Sequence, residues 1–248
     1  MTKEVEFGTL SLTRINAEPC EVTIDASQLA GIDADLVVRP FGWKGNHATT
    51  RSFTGDAAHN ELGLQATELV GAQDGDYDCI INELSVGDVT AITLYMAALE
   101  RPVSTVELAE FGLIYLTDVL SADIAAGEHL FTEAGCNSCQ VSSMKVANPT
   151  FKEPSRAAGY TDNLFPDGSN PGAHGLGSDT AITLDMRLDP PNNQVLLEDG
   201  GVYHLGAHET DVKGNGRARW FSDFKRHDMG PALSDPSDPL GVWAQLCL

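Results

Sequence analysis

The run Gly127-Glu128-His129-Leu130-Phe131-Thr132-Glu133-Ala134-Gly135-Cys136-Asn137-Ser138-Cys139-Gln140 decides how the rest of this chain reads. Residues 122–134 carry a helical pattern with Ile124, Leu130 and Phe131 as candidate core residues, and Gly135 stops the helix just before two cysteines. Two thiols at that spacing can add to the two vinyl groups of one haem, and the residue after the second cysteine is then ordinarily a histidine poised to ligate the iron. Here it is Gln140, so the attachment half of such a site is present and the ligand half is not.

Two other chemistries use a cysteine pair. A structural zinc site needs four ligands, usually completed by a second cysteine or histidine pair at short spacing, and the spacings offer none. A thioredoxin-like dithiol normally follows a strand in a βαβ setting, whereas this pair follows a helix and a glycine. Two buried cysteines left in a fold that takes no cofactor are the plain alternative.

Upstream, Asp88 is placed to cap a helix over residues 89–99 that stops before Pro102. Ser104-Thr105-Val106-Glu107 reads as a capping box opening another helix. A further helix runs through residues 57–62 and is closed by Gly63. Alternation in residues 5–10 and 21–24 predicts short strands or extended segments. After Gln140 the density of Pro, Gly, Asn and Asp predicts long irregular segments, of the kind that wind around a large flat cofactor.

The chain has 248 residues, read as one domain over 1–248, with 1–70 as an N-terminal remnant and 71–248 as a haem region. Its 36 acidic against 15 basic residues give a net charge of -21, which repels phosphate backbones and anionic lipid and so argues against nucleic-acid and membrane-surface binding. The charge serves solubility or steers a basic redox partner protein. No run is apolar and long enough to span a bilayer, and the first residues do not read as a signal peptide or lipid anchor. Five cysteines is an odd count and does not support a disulfide framework.

Asp74, Asp76 and Asp78 alternate as carboxylates do in calcium loops, although Cys79 stands where such a loop has glycine and Ser85 where it has a bidentate glutamate. A solvated acidic turn is the competing reading. His204 and His208 lie four apart, but their glycine-rich setting argues against a metal-binding helix, and His129 is either a surface residue or a neighbour of a bound haem. No serine or cysteine nucleophile stands in a hydrolase setting.

Three further stretches extend the pattern: Arg39-Pro40-Phe41-Gly42-Trp43-Lys44-Gly45-Asn46, residues 82–91 (Asn82-Glu83-Leu84-Ser85-Val86-Gly87-Asp88-Val89-Thr90-Ala91), and residues 221–231 containing His227-Asp228-Met229-Gly230. With the cysteine motif between the second and third, they resemble in order a bacterial family of peroxidase-like di-haem oxidoreductases related to the di-haem cytochrome c peroxidases. The resemblance implies a mainly α fold, a cytochrome-c-like helical domain with long irregular loops and a few short strands. It implies covalent haem c on Cys136 and Cys139, Met229 as an axial iron ligand, electron transfer as the role, and a periplasmic or other extracytoplasmic location. The family's first haem motif and its C-terminal continuation have no counterpart here, and Gln140 replaces the histidine. The chain is therefore expected to be a truncated or inactive member without turnover of its own, and a haem-free, calcium-stabilised remnant is the alternative.

Overall fold

A computed structural model describes residues 5–42, 44–71, 73–75, 77–155, 165, 168–169, 171–177, 181–190, 192–228, 230 and 243–244. Along the chain run β1 (Gly8–Asn16), β2 (Glu21–Leu29), α1 (Thr50–Leu62), α2 (Thr67–Val70), α3 (Val86–Ala97), α4 (Thr105–Glu110) and α5 (Asp118–Glu133). Then follow β3 (Met144–Val146), β4 (Thr150–Glu153), β5 (Ile182–Asp185), β6 (Gln194–Leu196), β7 (Val202–His204), β8 (Gly216–Ala218), β9 (Arg226–His227) and β10 (Trp243–Ala244).

The mainly α, cytochrome-c-like expectation is overturned. Helix accounts for 28% and strand for 22%, the strands lying in several small antiparallel sheets. The amino-terminal alternation extends into two nine-residue strands, and after Gln140 turn-forming residues bracket strands of only two to four residues, too short for their alternation to register as a pattern.

The chain divides into two compact units whose segments alternate along it. One comprises Met1–Ala48, Tyr115–Val146 and Arg217–Leu248; the other comprises Thr49–Ile114 and Ala147–Gly216. In the first, β1 and β2 form an antiparallel hairpin with Leu12 opposite Ile24 and Arg14 opposite Val22. Asn16 Nδ2 donates to Glu21 Oε2 at 2.7 Å across its turn. The buried core of this unit is Val5, Phe7, Met144 and Phe224, with Ile32, Val38 and Val141 packed against it.

In the second unit α1 starts at Thr49, whose hydroxyl accepts from Ser52 N, and ends on Gly63 in the left-handed region. The cap of α3 is Ser85 rather than Asp88: Asp88 is the third helical residue and its carboxylate returns the bond, completing a capping box. Ser104 caps α4 by accepting from Glu107 N at 3.1 Å, while the Glu107 carboxylate engages Arg101 at 2.5 Å. Strands β4 and β5 pair antiparallel, as do β6 and β7.

Much of the burial in this unit is polar. Arg51 is 3% exposed. Its Nε donates to Glu68 Oε2 at 2.8 Å, and its Nη1 donates to Glu153 Oε1 and to Thr90 Oγ1, each at 2.7 Å. Its Nη2 donates to the Val86 carbonyl at 3.0 Å and to the second Glu68 oxygen. One guanidinium thus ties α1, α2, α3 and β4 together. Asn193, fully buried, accepts from Arg101 N at 2.9 Å and donates to Asp189 Oδ1 at 2.9 Å.

Candidate metal centre

Helix α5 is capped by Thr117, whose hydroxyl accepts from Leu120 N, and is followed by Ala134 and by Gly135 at φ 77°. The left-handed glycine turns the chain out of the helix into a 3₁₀ turn, Cys136–Ser138. Cys139 N and Gln140 N both donate to the Cys136 carbonyl, at 3.3 and 3.0 Å, and Ser138 Oγ donates to Gly135 O at 2.7 Å. Cys136 and Cys139 are both free thiols and both exposed. Contrary to expectation, α5 buries none of its residues: Leu130 is 60% exposed, and Ile124 and Phe131 are only half-buried.

Strand β8 and the segment after it come back to this turn. Arg217 Nη1 donates to Ser143 Oγ at 3.0 Å, and Ser222 N donates to the Val141 carbonyl at 3.2 Å. Phe221 stands edge-on to Phe131 with ring centroids 6.2 Å apart. On the other side, Arg226 N donates to Gly31 O at 2.9 Å, and the Arg226 guanidinium pairs with Asp33. Gly31, at φ +75°, admits this approach, since a Cβ there would lie 2.7 Å from the Lys225 Cβ.

Held at both ends, the segment presents Asp223 and His227. Asp223 is 4% exposed, accepts from Lys225 N at 2.9 Å through Oδ1, and lies 3.0 Å from His227 Nε2 through the same oxygen. Cys139 completes the group: its Sγ, an Asp223 carboxylate oxygen and a His227 ring nitrogen all lie within 4.8 Å of one another. Phe221 and Phe224, flanking Asp223, adopt positive φ of 49° and 56°. For side chains of that size this is strained backbone, of order 1–3 kcal/mol each, a cost that persists only where surrounding contacts over-determine it and that is frequent at ligand clamps.

The sequence pointed to the two cysteines and not to Asp223. The available signal was the Asp-x-x-x-His spacing of 223 and 227, which a search for cysteine or histidine pairs passes over. Met229 and Asp76 lie outside the described residues. Asp74 accepts from Tyr77 N at 2.7 Å and Cys79 N at 3.0 Å, and Asp78 accepts from Ile80 N at 2.7 Å, so both fold onto their own turn. Cys79 does adopt the left-handed conformation, φ 73°, that a calcium loop reserves for glycine at that position.

The remaining histidines do not converge. His129 is on the surface, 3.6 Å from Glu133; His204 lies 3.3 Å from Asp189; and burial lowers the pKa of His208, with the Arg101 charge adding to the effect. No helix among the described residues is long and apolar enough to cross a membrane. Comparison with known protein families, with curated proteins and with solved structures gives no match.

Proposed function

We propose that this chain binds one divalent transition-metal ion of the zinc class through Cys139, Asp223 and His227. The observation that carries the reading is the convergence of three donors of different chemistry, from two stretches far apart in sequence, within 4.8 Å. Zinc bonds of about 2.0–2.3 Å to sulfur, nitrogen and oxygen set tetrahedral donors roughly 3.5 Å apart, so small side-chain rotations close the group onto an ion. Thiolate and imidazole favour zinc-like ions over calcium or magnesium, which take oxygen shells. Three protein donors leave one tetrahedral position for water or a further side chain. The bound ion would tie the turn that ends α5 to the returning 221–227 segment.

A second reading follows from the family resemblance: haem c on Cys136 and Cys139, passing electrons to a redox partner outside the cytoplasm. One observation favours it. Leu120, Ile124, Gly127 and Phe131 recur at the spacing of one helix face leading to the thiols, and open space lies beside Gly127, so a flat apolar group could lie along that stripe. Of the iron ligands, Gln140 stands where a histidine would follow the second cysteine, and Met229 lies outside the described residues. No electron-transfer step and no peroxidase turnover is therefore assigned.

Cobalt and zinc titration of the reduced, chelator-treated chain tests the first reading. One ion per chain is expected, with a cobalt–thiolate charge-transfer band that Cys139→Ser abolishes and at least tenfold weaker binding in His227→Ala, on the scale of losing a protein ligand. Binding that is indifferent to both substitutions overturns it. A pyridine haemochrome signal from chain exported with a cytochrome maturation system would instead support haem.

A further inference from the structure

Cys136 remains outside the donor group, and resting on the metal reading above, we infer that it is the resolving thiol of a redox switch on that ion. Cys136 begins the 3₁₀ turn and Cys139 follows it at the third residue. The Cys139 N–H donates to the Cys136 carbonyl at 3.3 Å, so one tight turn brings the two residues together. Both are exposed and unbonded to one another. Asp223, by contrast, is buried, and His227 is hydrogen-bonded to it. Of the three donors, the sulfur is the most exposed and the one with redox chemistry.

The oxidant class is a hydroperoxide, with hydrogen peroxide as its simplest member. The Cys139 sulfur is the exposed member of the donor group and so the one a dissolved peroxide meets. The Cys139 sulfur attacks the peroxide: an S–O bond forms, the O–O bond breaks, and the departing hydroxide takes a proton to become water. The product, a sulfenic acid, is no longer a thiolate ligand. Cys136 then attacks the Cys139 sulfur, an S–S bond forms, the S–O bond breaks, and a second water leaves. Two electrons pass from the two sulfurs to the peroxide oxygens. The ion, left with Asp223 and His227, dissociates, and a dithiol reductant restores the site. Cys136 protects Cys139 from further oxidation to the irreversible sulfinic acid.

The test treats zinc-loaded full-length chain with hydrogen peroxide, following zinc release with a chromogenic chelator and mapping disulfides by mass spectrometry. Expected are one zinc released per chain, a Cys136–Cys139 bond separate from Cys20, Cys79 and Cys247, and recovery of zinc binding after dithiothreitol. In Cys136→Ser, an exposed substitution, zinc binds as before, but peroxide leaves Cys139 over-oxidised and reductant does not restore binding. Zinc retained while the bond forms, or a zinc-loaded chain that forms no bond, overturns the switch and leaves the metal reading standing. A chain that never holds zinc overturns both.

Discussion

Replacing Arg51 with methionine is the most demanding perturbation of this fold. The side chain is similar in length, so little volume is lost, but the guanidinium bonds to Glu68, Glu153, Thr90 and the Val86 carbonyl all disappear. Glu153, 4% exposed, is left as a buried carboxylate near the carboxylate of Glu68. Removing one partner of a buried ion pair costs about 3–5 kcal/mol, a large share of the roughly 5–15 kcal/mol that holds a domain together. The loss should depend on pH. Burial already pushes the Glu153 carboxyl above its usual value, against the opposing pull of Arg51. The native state therefore holds that proton more tightly than the unfolded chain, and stability falls as pH rises from the ordinary carboxylate value through the raised one. Without Arg51 the opposing pull is gone, the fall extends to higher pH, and the variant loses more at about pH 8 than at about pH 5. Urea denaturation followed by circular dichroism at both pH values measures this, and adding Glu153→Gln should restore part of the loss. A loss under about 1 kcal/mol, or an equal loss at both pH values, would refute the argument that this guanidinium compensates buried charge.

Asn193→Ala should cost about 1–3 kcal/mol, because it strips the buried Arg101 amide of its acceptor; an unchanged urea midpoint would show that this amide finds another partner. Gly31→Ala places a Cβ 2.7 Å from the Lys225 Cβ in a left-handed backbone. Strain of about 1–3 kcal/mol displaces the Asp223–His227 segment, so cobalt affinity should fall together with stability, and intact affinity would separate the glycine from the site.

Some of this was written locally. Thr117 and Ser104 cap their helices and Gly63 and Gly135 turn the chain out of theirs, because a cap needs only a hydroxyl within a few residues of an amide and a left-handed turn only the absence of a Cβ. The helices of the middle block were legible for the same reason: their period lies within one stretch of chain. Ser85, not Asp88, starts α3 because the two groups bond reciprocally and composition does not say which residue has left helical geometry. The amino-terminal alternation announced extended chain, and the turn-rich half announced turns. That the short runs between those turns pair as strands, and that Leu130 faces solvent, depends on partners far away in the chain. The cysteine pair was visible as a motif, whereas its encounter with Asp223 and His227 was not. That encounter requires the core around Phe224, the approach at Gly31 and the Phe131–Phe221 contact to bring two remote stretches together, and side-chain packing at long sequence separation leaves no periodic trace in the order of residues.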